Sequence, residues 1–100
     1  MKRAEIISTL RKNNLTDFQI DVLLATMKIP KGEVATYKEV ARMAGHPNAY
    51  RAAGTALRKN PLAPMIPCHR VIKSDGSLGN YSSGGTKRKK AILQKENAID

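Results

Sequence analysis

Two capping-box patterns constrain the fold of this chain most, because each predicts the residue at which a helix begins. Thr16 is followed three residues later by Gln19, and Thr36 by Glu39, in both cases ahead of residues with helical spacing. In a capping box the Thr hydroxyl accepts a hydrogen bond from the backbone three residues on, and the Gln or Glu side chain returns one. Gly45 is well placed to end the second of these helices.

Three more helices are predicted from apolar spacing and from the residues that interrupt it. Residues 2–13 form a short basic helix with one apolar side. Residues 49–59 form another, with Asn48 as its cap. A final helix is expected over residues 86–97, capped by its first residue, Thr86.

The arrangement of these elements indicates a fold class. The two short helices on either side of residues 46–48 favour a helix-turn-helix, although a plain helical hairpin with a basic outer face has the same pattern. Residues 71–72 and 78–81 predict two strands around a turn at residues 74–77, which would form a small wing. The expected fold is therefore mainly α, a winged helix-turn-helix-like DNA-binding domain with a small β-hairpin wing.

The charge of the chain indicates a polyanionic partner. Eighteen Lys and Arg residues against eight Asp and Glu give a net charge of +10 on 100 residues. Basic side chains that neutralise phosphates release counterions and so bind nucleic acid without reading its sequence. A solvated basic surface without such a partner has the same composition. Aromatic residues make up only 4% of the chain, too few for a platform that stacks single strands, so duplex DNA is favoured.

Length and hydropathy limit the class of protein further. A chain of 100 residues predicts a single domain over residues 1–100. No apolar run is long enough to span a bilayer, and charged residues interrupt any signal-peptide core near the N-terminus. We expect a soluble, cytoplasmic monomer, associated with the nucleoid in a prokaryote or located in the nucleus of a eukaryote.

The candidate reactive group is the single cysteine, Cys68, which is followed by His69 and Arg70. Three prolines in residues 61–67 predict a stiff loop that holds Cys68 in a defined place. A thiolate is the reactive form of cysteine, and nearby positive charge or a base increases its population. A buried, inert thiol is the alternative, since free cysteines are often small core residues. One Cys and two His are too few ligands for a closed zinc site, so no metal is predicted.

The run from Ile66 to Val71, Ile-Pro-Cys-His-Arg-Val, resembles the active-site signature of the O6-alkylguanine-DNA alkyltransferases. This motif is highly specific, and the similarity covers most of the chain. It extends over these further segments: Phe18-Gln19, Ile29 to Val34, Thr36-Tyr37, Gly45 to Pro47, Ala49 to Ala52, Asn60-Pro61, Gly79 to Tyr81 and Leu93 to Glu96.

The resemblance implies an irreversible reaction in which one protein molecule repairs one lesion, without a dissociable cofactor. An alkyl group moves from guanine O6, and by extension from thymine O4, to the sulfur of Cys68. His69 would act as the base through a water molecule, and Glu96 would orient this histidine. Asn60 would brace the active-site turn, and Tyr37 would donate a hydrogen bond to the target base.

The resemblance also implies that duplex DNA containing O6-alkylguanine is the partner. Family members bind the minor groove and rotate the damaged base into a pocket. Arg51 would fill the space that the base leaves. The residues implied in DNA contact are Arg51, Tyr37, Thr36, Arg58 and Ser74. Those implied in the base pocket are Val71, whose carbonyl would accept from the exocyclic amine, Tyr81 and Ser82, whose amide would donate to O6.

The sequence departs from the family pattern at three places. The family's usual N-terminal domain has no counterpart, and residues 1–15 stand in its place as a short helix before the alkyltransferase region, residues 16–97. The loop after Tyr81 is one residue longer than usual, which makes Lys89 the better match to the lysine that follows. Tyr50, beside Arg51, is bulkier than the residue common there.

Two other functions fit parts of the sequence. A lesion-binding protein that recruits other repair factors would share the fold, but such relatives lack the acceptor cysteine that this chain has. An ordinary winged-helix regulator with an inert thiol would bind one preferred operator sequence and would not distinguish O6-methylated from normal DNA.

Overall fold

The computed structural model describes residues 2–79 and 81–100, and helices dominate this part of the chain. The helices are α1 (Arg3–Lys12), α2 (Asp17–Thr26), α3 (Tyr37–Met43), α4 (Tyr50–Arg58) and α5 (Gly85–Lys95). Two short strands, β1 (Ala35–Thr36) and β2 (Val71–Ile72), form a parallel pair, and a 3-10 turn (Cys68–Arg70) precedes β2. None of the helices in these residues is long and apolar enough to cross a membrane.

Both predicted capping boxes are present. The Thr16 hydroxyl accepts from the Gln19 amide at 3.2 Å, and the Gln19 side chain accepts from the Thr16 amide at 3.0 Å. Thr36 and Glu39 form the same pair of bonds at 3.1 Å. Helix α3 ends as predicted at Gly45, whose φ of +86° is a conformation that glycine adopts without strain. These local signals fix the start of α2 and both ends of α3.

The core lies where α2, α3 and α4 pack together, and α1 covers one side of α2. The three central helices contribute fully buried side chains, among them Val22, Leu23, Val40, Ala53 and Ala56. The alanines of α4 have no bulk beyond Cβ, so its backbone lies close to α2 and α3. Helix α1 adds Ile6 and Leu10, which are also buried.

Two predicted helix caps are wrong. Helix α4 begins at Tyr50 with Ala49 at the N-cap position, and Asn48 makes no capping bond. Thr86 lies inside α5 rather than before it, and its hydroxyl donates to the carbonyl of Gly79 at 3.0 Å. Gly84, with a φ of +135°, is the N-cap residue and starts α5 two residues earlier than a cap at Thr86 would.

The predicted β-hairpin wing is also wrong. Strand β2 pairs in parallel with β1, and the described residues 78, 79 and 81 do not form a return strand beside it; residue 80 lies outside the described residues. The turn at residues 73–77 does form, with Asp75 accepting from the amide of Ser77 at 2.9 Å. The chain then bends at Gly79, whose φ is +74°, toward α5 instead of extending along β2.

We propose that α1 folds with the rest of residues 1–100 as one cooperative unit, and Leu10→Ala tests this. Leu10 is fully buried, so the truncation removes apolar contacts and leaves a cavity. We expect urea denaturation to show a loss of about 2–5 kcal/mol in the free energy of unfolding of the whole chain. Ile7→Ala, at a partly buried position of the same helix, is the control and should cost less. A separate early transition confined to α1 would contradict the proposal.

Candidate active site

The backbone around Cys68 is an irregular turn fixed by its own hydrogen bonds. Pro67 has φ −82° and ψ 64°, and the Cys68 amide donates to the Ile66 carbonyl at 2.8 Å. This is an inverse γ-turn, which proline favours because its ring already fixes φ. The Arg70 amide then donates to the Pro67 carbonyl at 2.9 Å and starts the 3-10 turn. The prolines therefore present Cys68 at the start of a short helical turn and not within a strand.

Asn60 braces this turn from the end of α4. Its amide nitrogen donates to the Ile66 carbonyl at 2.9 Å, and its oxygen accepts from the Leu62 amide at 2.9 Å. Both ends of the buried amide are thus satisfied across the loop that leads to Cys68. The implied bracing position of Asn60 agrees with this geometry.

Cys68 is 7% exposed and contributes to the wall of a pocket of about 460 Å³. A volume of this order is typical of small-molecule sites, which run from about 300 to 1,000 Å³. The pocket lies between α4, the start of α3 and the segment around Tyr81. Its lining residues are Tyr37, Tyr50, Arg51, Gly54, Thr55, Leu57, Arg58, Cys68, Lys73, Tyr81 and Ser82.

Burial governs the ionisation of Cys68. It raises the pKa of the thiol, an effect that the hydrogen bond from Asn60 and the charge of Lys89 only partly oppose. The sequence predicts that nearby positive charge favours the thiolate, but the Arg70 guanidinium bonds to the Glu96 carboxylate instead. The thiol therefore needs a base to release its proton at neutral pH.

His69 is buried and lies against the carboxylate of Glu96. Its Nε2 is 3.2 Å from each oxygen of that carboxylate, although the two residues are 27 positions apart. Burial lowers the pKa of His69 even though Glu96 acts to raise it, so the neutral ring is favoured. The buried Nδ1 atom has no hydrogen-bond partner in residues 2–79 and 81–100. The ring of Tyr81 packs edge-on at a centroid distance of 6.2 Å.

Arg70 makes contacts that sequence reasoning did not predict. Its Nε and Nη2 donate to the two oxygens of Glu96 at 3.1 and 2.8 Å, and its Nη1 donates to the Ile29 carbonyl at 2.9 Å. The Arg70 guanidinium, with the burial of Glu96 opposing it and His69 assisting, holds the pKa of Glu96 down at about 2. No spacing pattern reveals this contact, because it forms only when α5 packs against the 3-10 turn.

Lys89 holds the other side of the turn. The side chain is fully buried, and Nζ donates to the carbonyls of Val71 at 2.5 Å and of Leu78 at 2.6 Å. Burial lowers the pKa of this ammonium to about 8. Nζ also lies 5.9 Å from the centre of the Tyr37 ring. The Val71 carbonyl, implied as an acceptor for the exocyclic amine of guanine, thus already accepts one hydrogen bond from the protein.

The structure gathers most of the implied DNA and base-pocket residues at the pocket and leaves three outside its lining. Tyr37, Arg51, Arg58, Tyr81 and Ser82 line it, whereas Val71 is fully buried and does not. Thr36 is engaged as the cap of α3. Ser74 lies in the exposed turn at residues 73–77. Neither Thr36 nor Ser74 lines the pocket, so a contact of either with DNA would lie outside it.

The shifted pKa of Glu96 predicts acid sensitivity. Because the folded-state pKa of about 2 lies below the ordinary 4.5, the ionised carboxylate stabilises the fold above about pH 4.5, and this is lost as the pH falls toward 2. The difference corresponds to about 3 kcal/mol. We expect Glu96→Gln to lower the free energy of unfolding by up to that amount at neutral pH and to converge with the parent protein near pH 2. Glu33→Gln, at an exposed carboxylate, is the control for chemical denaturation, and equal curves for both variants would contradict the assignment.

Comparison with known proteins identifies this arrangement. The family model described as the DNA binding domain of 6-O-methylguanine DNA methyltransferase matches residues 17–98. A methylated-DNA–protein-cysteine methyltransferase of Methanosarcina barkeri is 58% identical over 69 residues, which are 69% of this chain and 44% of that protein.

Solved structures agree in fold. The crystal structure of Mycobacterium tuberculosis OGT in complex with DNA is 46% identical, with a TM-score of 0.80 over 84% of this chain and 52% of that one. An S. pombe protein in complex with damaged DNA containing O6-carboxymethylguanine is 36% identical, with a TM-score of 0.71 over 82% of this chain and 77% of that one. The chain spans about half the length of the curated relatives it matches, or less. It belongs to the family defined by the DNA-binding domain of 6-O-methylguanine DNA methyltransferase.

Proposed function

We propose that this protein repairs O6-alkylguanine in duplex DNA by moving the alkyl group irreversibly onto Cys68. The observation that carries the proposal is the placement of a lone thiol in the wall of an open pocket, with a buried neutral histidine beside it in the chain. The M. tuberculosis and S. pombe relatives, each solved in complex with DNA, support the choice of partner. A role on thymine O4 follows by the same chemistry.

The transfer is a displacement at carbon. The Cys68 thiol gives its proton to Nδ1 of His69 through a water molecule, and the sulfur forms a bond to the alkyl carbon. The bond between that carbon and O6 breaks, its electron pair stays on the guanine, and the protonated histidine is the source of the proton that neutralises it. The product is a thioether on Cys68, which does not hydrolyse, so each molecule acts once and no dissociable cofactor takes part.

The ionisation state of the site suits this sequence of steps. Burial raises the pKa of the Cys68 thiol, so a base is required. Burial lowers the pKa of His69, so the ring is neutral and able to accept a proton. When Nε2 carries the hydrogen and donates to Glu96, Nδ1 is left as the acceptor. No residue among those the structure describes bonds to Nδ1, so this atom can act through water.

Access to the lesion requires the base to leave the stack, since the pocket cannot reach an atom inside a duplex. Arg51 is exposed on α4 at the edge of the pocket, where it would fill the vacated space. Tyr37 lines the pocket and would donate to the flipped base. The Ser82 amide would donate to O6. Arg58 and the overall charge of +10 would hold the phosphates.

A second function, binding of the lesion without chemistry, would use the same pocket. The likeness to the S. pombe protein solved in complex with damaged DNA supports this second function. The two functions differ in what happens to the sulfur of Cys68. For either one the protein is expected to act as a monomer where the genome lies, in the cytoplasm of a prokaryote or in the nucleus of a eukaryote.

Intact mass spectrometry distinguishes transfer from binding. After mixing with a duplex that contains O6-methylguanine, we expect the protein mass to rise by one methyl group, because the thioether is stable. Cys68→Ser is the matched control and should gain nothing while still binding the duplex. Binding of the lesion with no gain in mass by the parent protein would leave the second function and reject the first.

The role of Arg51 is tested by comparing two substrates. Arg51→Ala should slow methyl transfer from duplex O6-methylguanine far more than reaction with free O6-benzylguanine, since only the duplex requires extrusion of a base. Unstacking costs a few kcal/mol, so we expect a loss of about tenfold or more on the duplex. Arg11→Ala, on the distant helix α1, controls for the loss of one positive charge. An equal loss on both substrates would contradict the role in extrusion.

A further inference from the structure

We infer that Arg70 is a positioning residue for the transfer. It holds the Glu96 carboxylate so that this group orients His69 while the imidazole ring stays neutral. The inference deepens the proposed function and rests on it. It assigns a task to the one residue of the Cys68–Arg70 turn that the proposed transfer does not otherwise use.

The geometry gives Arg70 control over the carboxylate. Its Nε and Nη2 donate to separate oxygens of Glu96, at 3.1 and 2.8 Å, in the two-point arrangement that a guanidinium matches. A third bond, from Nη1 to the Ile29 carbonyl at 2.9 Å, ties the same guanidinium to the segment after α2. The three bonds of Arg70 therefore fix the position and the orientation of the Glu96 carboxylate, independently of its contact with His69.

The position of Glu96 on α5 makes this support necessary. Glu96 is the C-cap residue, and a carboxylate at the C-terminal end of a helix meets the negative end of its dipole. The side chain is only 11% exposed, so water screens it little. The backbone places it there through a left-handed Asn97, with the Ala98 amide donating to the Leu93 carbonyl at 2.9 Å. Arg70 supplies the positive charge that bonds directly to this carboxylate.

Electrostatics explains why His69 stays neutral. The charged groups that face it are Glu96, which favours the protonated ring, and Arg70 and Lys89, which oppose it; burial opposes it most. The ring of Tyr81 packs edge-on against it and carries no formal charge when its hydroxyl is protonated. Glu96 and Arg70 together are close to neutral, so the carboxylate acts on His69 mainly as a hydrogen-bond acceptor. A bare carboxylate at 3.2 Å would favour the imidazolium, which cannot take the thiol proton.

The test follows the His69 ring directly by nitrogen NMR of labelled protein, which reports both tautomer and protonation without any substrate. In the parent protein we expect a neutral ring with the hydrogen on Nε2. In Arg70→Gln we expect the protonation midpoint of His69 to rise by about one pH unit, because the carboxylate is no longer neutralised. The acid limb of methyl transfer should move up with it, a loss of about tenfold below the midpoint.

Two further variants separate charge from shape. Arg70→Lys keeps the charge but loses the two-point contact, so the midpoint should rise less than in Arg70→Gln. Arg11→Gln breaks the exposed pair between Arg11 and Asp17, at 3.3 Å, and should leave the titration of His69 unchanged. A His69 midpoint in folded Arg70→Gln equal to that of the parent protein would overturn the inference.

A second comparison keeps the test sound if Arg70→Gln does not fold. Arg70→Lys retains a positive charge beside Glu96, and its His69 midpoint should lie above that of the parent protein because the two-point contact is lost. The same change in Glu96→Gln should leave the midpoint unchanged, because the carboxylate through which Arg70 acts is absent. A midpoint in Arg70→Lys equal to that of the parent protein, or the same rise in both backgrounds, would overturn the inference. Failure of the proposed function is recognised separately, because the parent protein would then gain no methyl group whatever the titration shows.

Discussion

The Glu96 carboxylate joins parts of the chain that lie far apart in sequence, and the geometry around Cys68 depends on it. One oxygen faces both His69 and Arg70, and the other does the same, so a single group fixes two neighbours in the active-site turn. Through Arg70 the contact extends to the Ile29 carbonyl after α2. A buried ion pair stabilises a fold only when its hydrogen bonds are satisfied, and here both carboxylate oxygens accept from donors.

Polar side chains, rather than a sheet, hold the rest of the site. The strands are two residues long, and Cys68, Lys73, Tyr81 and Ser82 reach the pocket from turns and irregular backbone. Asn60 donates to one carbonyl and accepts from one amide in the loop before Cys68, and Lys89 donates to two carbonyls after it. The bonds to the carbonyls of Ile66 and Val71 are buried and the other two are partly buried, so all four satisfy backbone groups that water reaches poorly. Irregular backbone can therefore line the pocket without the cost of unpaired polar atoms.

Local chemistry was predictable from the sequence, whereas long-range contacts were not. The boxes at Thr16 and Thr36 were confirmed because a capping box involves only four neighbouring residues. The wing was wrong because the partner of β2 is chosen by packing, and β1 lies 36 positions earlier in the chain. The caps at Asn48 and Thr86 failed where a different backbone geometry set the helix start. The roles of His69, Glu96 and Asn60 came from family resemblance and stay predictions. The contact of Arg70 with Glu96 could not be predicted, because it depends on how α5 packs.

A reaction that leaves its product on the protein does not require the active-site turn to move for product release, but it still requires the thiol to lose its proton. On the proposed function, the pocket never has to release an alkylated cysteine, so the turn that carries Cys68 can be tied down on both sides by Asn60 and Lys89. Loss of the proton remains a requirement, because a buried thiol with a raised pKa is unreactive until a neutral base lies within reach. On the inference above, His69 is such a base only while Arg70 neutralises the charge of Glu96. The same burial that keeps the thiol inert in the absence of DNA thus makes the state of the histidine decisive when a lesion enters.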